Sequence, residues 1–218
     1  MRRLALLTGI ALLLTACGER SSPPPPSPAP PDAGATTAST VDPAELARQR
    51  GVLIVQQAFT MLSSNLARAI QTGGISNALS YCSVKALPLT QLVGDTNRVR
   101  LRRVTHKPRN PANRASAAEL GILAGFQSAL AAGRTNPPPV LTTNDAGGLS
   151  LHAPIVLNNP LCLNCHGRPG DQILPENVTL LARLYPTDEA TGFTLGDLRG
   201  MWCVDFAGNV AVVPPGEP

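Results

Sequence analysis

An α+β fold, with helices interleaved among the strands of an antiparallel sheet, is what the sequence predicts, and three observations predict it. Apolar residues recur at spacings of three and four from Leu46 to Ile70, the signature of a long amphipathic helix. The period falls to two between Arg98 and Thr105, where Val99 and Leu101 alternate with Arg98, Arg100 and Arg102, and two later stretches read as hairpins around glycine turns. The third observation is a scarcity of rings: one Trp, two Tyr and four Phe in 218 residues, of which 43% are hydrophobic. A core this short of aromatics is built from Leu, Ile, Val and Ala, or it closes around something large and flat that the chain does not encode. That much apolar material excludes wholesale disorder, and the single long apolar run excludes a polytopic membrane protein.

The chain opens with an export signal over residues 1–16. Met1-Arg2-Arg3 is a short basic start, and Leu4 to Ala16 is apolar but shorter than the roughly 20 residues a spanning helix needs. It ends in Leu14-Thr15-Ala16-Cys17, which resembles the bacterial lipobox, so Cys17 is expected to carry the lipid that anchors the mature protein to a membrane. Gly18, in place of the Asp that retains such proteins at the inner membrane, favours the outer membrane of the cell envelope. Residues 17–41 form a tether rich in Pro, Ser, Ala and Thr, extended at about 3.1 Å per residue and without a core. Removing the signal takes Arg2 and Arg3 and no acid, which lowers the formal net charge from +4 by two.

The folded domain is expected over residues 42–218. Asp42-Pro43 supplies an N-cap with Pro at the first helical position, and the long helix runs to about Gln71, where Gly73-Gly74 stops it. A second helix follows from about Ser76 to Leu87, with Pro88 beyond its end and Ala78, Leu79, Cys82 and Ala86 on its inner stripe. After the Arg98–Thr105 strand, Ser116 and Glu119 form a capping box for a third helix carrying Leu120, Leu123, Phe126, Gln127 and Leu130. Thr135 to Pro139 is a loop. Val140–Asn144 and Leu149–Leu157 flank an Ala146-Gly147-Gly148 turn, and Met201–Phe206 and Val210–Val213 flank Gly208-Asn209.

The strongest chemical signal is Cys162-Leu163-Asn164-Cys165-His166, a C-x-x-C-H haem c attachment pattern. With five Cys and three His in the chain, roughly 0.002 chance matches are expected. Two thiols one helical turn apart each add to one haem vinyl group, and the adjoining His brings its imidazole under the iron. A thioredoxin-like pair or half a zinc site are the rival readings; export argues for haem attachment, and no second C-x-x-C completes a zinc site. One covalent haem also accounts for the missing aromatics, because its faces give aliphatic side chains a surface to pack on. The spacing leaves the opposite side of the iron open among Cys82, His106, His152, Met61, Met201 and Cys203.

Four stretches in order resemble the Tll0287-like family of c-type haem proteins of unknown function: Ala78 to Ala86 with Cys82, Lys107 to Asn113, Cys162 to Gly167, and Tyr185 to Gly200. The resemblance covers residues 45–207. It implies a PAS-like sheet flanked by helices, with the long N-terminal helix, closing around one covalent haem c, and an unusual axial pair in which His166 is proximal and Cys82 distal. Cys203 departs from the family pattern, standing where a small polar residue such as Ser is expected. It is either a buried strand residue or a thiol that competes for the iron or pairs with Cys82 in a disulfide.

From Arg98 to Arg114 the chain holds seven basic residues and no acid. No aromatic interleaves them for base stacking, and an exported lipoprotein does not meet nucleic acid, so no nucleic-acid partner is expected. Guanidinium forks match carboxylates, so one or two of these arginines are expected to pair with the two haem propionates, Arg109 first among them, with Asn110 to Asn113 as the turn that fixes its loop. A thiolate opposite an imidazole stabilises ferric iron, which predicts a low reduction potential and a Cys82 that lets go on reduction or ligand arrival. The functional expectation is therefore a periplasm-facing redox or gas sensor that acts on a redox or signalling protein partner. The alternative is a lipid-anchored monohaem electron-transfer cytochrome. No enzymatic activity is expected; a peroxidase would need an open iron position and His106 or His152 as its acid–base group.

Overall fold

The computed structural model describes residues 42–207. The signal, the tether, Cys17 and the expected Val210–Val213 strand lie outside the described residues. Helix α1 spans Pro43–Thr96, broken by non-helical backbone at Gly73 and Gly74. Asp42 caps it, its side chain accepting from the Ala44 amide at 3.0 Å. Gly74 sits at φ +69°, a conformation that any residue with a Cβ adopts only at a cost, and here the chain turns back on itself. The two arms lie side by side: Tyr81 donates to Asn65 at 3.0 Å, and Asn97 donates to Gln57 at 2.8 Å.

The second arm does not end before Pro88, as expected, but runs through it to Thr96. Proline removes one helical hydrogen bond, yet Val84, Lys85 and Pro88 all face solvent, where water replaces the missing donor. Continuing the helix buries Thr90, Val93 and Gly94, and that burial outweighs the break.

Four antiparallel strands follow: β1 (Arg100–Val104), β2 (Val140–Thr143), β3 (Leu149–Val156) and β4 (Leu198–Asp205), in the order β1-β4-β3-β2. Helix α2 (Ala117–Ala131) starts at the expected capping box, with Ser116 and Glu119 satisfying each other's amides. A four-residue helix α3 (Leu163–His166) carries the C-x-x-C-H segment, and α4 (Pro175–Leu184) follows it. Sequence periodicity had not indicated α4, although Pro175 at its start and Arg183 in its last turn are ordinary helix punctuation.

Strand parity gives the sheet two covered faces. On one, Leu101, Leu151, Ala153, Trp202 and Val204 pack against Ala47, Ile54, Ala58 and Val93 of α1. Gly51 lets α1 approach this closely, since a Cβ there would lie 2.6 Å from Leu151 Cδ2. On the other, Val104, Met201 and Cys203 pack against Leu123 and Phe126 of α2. No helix among the described residues is long and apolar enough to cross a membrane.

Candidate functional site

The C-x-x-C-H segment is set by turns that its own sequence supplies. Asn159 accepts from the Leu161 amide at 2.9 Å and starts a 3₁₀ turn over Pro160–Cys162, which leads directly into α3. Cys162 packs with Leu157, Leu163, Ala190 and Phe193, while Cys165 faces the other way, against Leu79, Ile173 and Leu181. Both thiols are free and half-buried, and burial pushes Cys165 up to about 11 against the pull of Arg109. Cys165 therefore stays protonated at neutral pH, and no disulfide joins it to Cys162.

His166 closes the segment. Its Nδ1 lies 2.9 Å from the Ala190 carbonyl, and a carbonyl can only accept, so Nδ1 carries the proton and the Nε2 lone pair is left for a metal. Burial, followed by the charges of Arg199 and Arg109, holds His166 well below the ordinary imidazole value, so it stays neutral and able to ligate.

Two distant segments brace this helix. Arg109 donates through Nε to Asp188 at 3.0 Å, and through Nη2 to the carbonyls of Cys165 at 2.6 Å and Ala190 at 3.2 Å. The amides of Gly192 and Phe193 donate to the carbonyls of Gly167 and His166 at 2.8 and 2.9 Å, so the Asp188–Phe193 stretch wraps α3. On the far side, Asn110 accepts from Ala112 in the expected turn, and Arg114 pairs with Glu189. Arg109 was expected to meet a propionate. Its Nε and Nη2 donate to the Asp188 carboxylate and to two backbone carbonyls.

Cys82 lies half-buried on the second arm of α1 and is electrostatically coupled to Cys165, Arg103, Arg109 and Tyr185. Burial raises its thiol, against the lowering effect of Arg103 and Arg109. The other ligand candidates separate from this place. His152, Met201 and Cys203 sit on the α2 face of the sheet, and Met61 packs into the cluster between α1 and the sheet. Cys203 is wholly buried and free; its Sγ lies 3.4 Å from His152 Nδ1 and donates to Glu119 at 3.8 Å, while His152 Nε2 meets Thr142 at 3.0 Å. Cys203 and Cys82 thus occupy opposite faces of the sheet, which disposes of a disulfide between them. His106 stays near the site, its ring edge-on to Phe193, as is the ring of His166.

Sequence reasoning missed Arg199; Arg103 stood in the basic run expected to supply one or two propionate partners, with Arg109 preferred. Arg103 shares strand parity with Leu101, so it lies on the α1 face beside its cross-strand partner Trp202, with its guanidinium 5.6 Å from that ring. That parity was legible in the sequence; the basic run around it obscured it. The donor set of two thiols, one neutral imidazole with a free Nε2 and a further thiol on a facing helix fits a thioether-bound haem.

Known proteins share this architecture. A family model described as Tll0287-like matches residues 37–207. No curated protein matches. Among solved structures, the crystal structure of the cyanobacterial heme-protein Tll0287 aligns with a TM-score of 0.57 and 23% identity, over 76% of this chain and 96% of that one. At this identity the likeness is one of fold: helices with a four-stranded antiparallel sheet.

Proposed function

The chain belongs to the Tll0287-like family, and from that premise we propose that it carries one covalent haem c in a PAS-like fold. Cys162 and Cys165 would hold it by thioether bonds, and His166 and Cys82 would ligate its iron. The observation that carries this reading is the His166 hydrogen bond: with Nδ1 held by Ala190, Nε2 is the lone pair left to ligate, directly after two thiols in the attachment spacing. The likeness in fold to a cyanobacterial heme-protein supports it.

Bound there, the haem would supply a one-electron couple and a site of ligand exchange. The protein's own part is to hold His166 fixed and Cys82 on a helix that can shift. His166 is braced by Ala190, Gly192 and Phe193 from one side and by Arg109 from another. Cys82 rides on an arm that follows a glycine break and contacts α4 through Leu79. A change in what its sulfur holds is passed to that arm, a discrete two-state element. This asymmetry supports a sensor of redox state or of a diatomic gas acting through a protein partner, and the lipobox-like Leu14-Thr15-Ala16-Cys17 supports its lipid-anchored, envelope-facing setting.

Optical spectra of the mature protein, matured with haem c machinery, test this role. The expected result is a low-spin thiolate-type ferric spectrum that Cys82→Ala abolishes, and carbon monoxide uptake by the reduced protein. A spectrum indifferent to Cys82→Ala, with no carbon monoxide uptake, would sink the sensor and leave the electron-transfer cytochrome.

A further inference from the structure

Around His166 the chain gathers more positive charge than it neutralises. Arg103 on β1, Arg199 on β4 and Arg109 in the loop after β1 all act on His166, and Arg199 feels both of the others. The carboxylate that answers within this group is Asp188, which is tied to Arg109 at 3.0 Å. Arg199 donates only to neutral acceptors, Thr105 Oγ1 at 3.1 Å and the Lys107 carbonyl at 3.2 Å, and stands 5.5 Å from the Phe193 ring. Arg103 has the Trp202 ring. The Nε of each is sealed from solvent without an acceptor, and neither forms an ion pair among the described residues. Two further charges nearby are already engaged: Lys107 donates to the Thr191 carbonyl at 2.7 Å, and Asp197 accepts from the Thr194 amide at 2.7 Å.

Shielded guanidinium groups without a carboxylate are costly, and a fold keeps them where something else supplies the anion. Burial and the neighbouring guanidiniums push Arg199 down to about 9, so it remains charged at neutral pH. Three arginines against Asp188 leave an excess of two positive charges, and a haem c carries two propionates.

We propose that Arg103 and Arg199 are the seat of the two haem carboxylates, while Arg109, held by Asp188, is a brace for the attachment helix. The assignment rests on the haem c reading above and names the residues that orient the group within it. Binding is ionic and hydrogen-bonded, with no covalent step.

Resonance Raman spectroscopy of the haem-loaded protein reads the propionate bending vibration directly, and a redox titration reads the charge around it. Arg103→Gln and Arg199→Gln should each shift that band and lower the reduction potential, because an unanswered propionate favours ferric iron. Arg100→Gln, at an exposed position on β1, should move neither. The Lys variants keep the charge without the fork, so they should restore the potential and leave the band shifted. Band and potential unmoved in both Gln variants, in protein with a full pyridine haemochrome, would overturn the seat while the haem reading stands. A parent protein without a haemochrome would overturn both. If a Gln variant fails to mature, the Lys variant at that position decides: a shifted band supports the seat and an unmoved band refutes it.

Discussion

The residues that make the site fall into those that local spacing reveals and those it cannot. Cys162, Cys165 and His166 are legible because they share one helical turn in the C-x-x-C-H spacing. Asp188 is not, since it reaches Arg109 across 79 positions, and no local pattern announces which acid an arginine will find. The pair is shielded, with about a tenth of each side chain exposed. Asp188→Asn should therefore strand the Arg109 charge and cost on the order of 3 kcal/mol, read as a lower urea midpoint at unchanged slope. An unmoved midpoint would mean that water already solvates the pair. The same substitution should loosen α3, because Arg109 also holds the Cys165 and Ala190 carbonyls.

Among the elements, α1 shows how far periodicity carries. The helical spacing and the Gly73-Gly74 break were both readable, whereas the continuation through Pro88 was not, because it depends on Val93 meeting Leu101 of a strand. Two glycines test the packing. Gly51→Ala should force α1 off Leu151 and cost about 1–3 kcal/mol, and Gly74→Ala should cost about 1–3 kcal/mol because its φ of +69° with ψ of −166° is a backbone essentially confined to glycine; equilibrium unfolding measures both. At the start of α2, burial alone would raise Glu119, but the Ser116 amide and Arg102, 2.8 Å away, outweigh it and hold the carboxyl below its usual value. A depressed folded-state value means that the unfolded chain binds the proton more readily, so this contribution is full above the unfolded carboxyl range and fades as pH falls through the folded value. Glu119→Gln should flatten that part of the acid limb of stability against pH. A limb of unchanged steepness in the variant would remove Glu119 as its source.

Across the whole molecule, the sheet separates two chemistries. The α1 face leads to Cys82, Arg103 and α3, while the α2 face buries Cys203 with His152, Glu119 and Arg102. The antiparallel hairpin of β2 and β3 could be read from its glycine turn, but the order β1-β4-β3-β2 joins residues about a hundred positions apart, as in the pairing of Leu101 with Val204. Only that order shows that Cys203 and Cys82 cannot meet. Cys203→Ser should accordingly leave the absorption spectrum of the loaded protein unchanged and cost about 1–2 kcal/mol of stability, the scale of disturbing one buried polar contact. The most direct test of the central claim is the intact mass and pyridine haemochrome of the mature protein made with haem c machinery. The mature protein should gain the mass of one haem and show a c-type haemochrome, both lost when Cys162 and Cys165 are replaced by Ser. An unmodified mass with no haemochrome, under conditions that load a known cytochrome c, would contradict it.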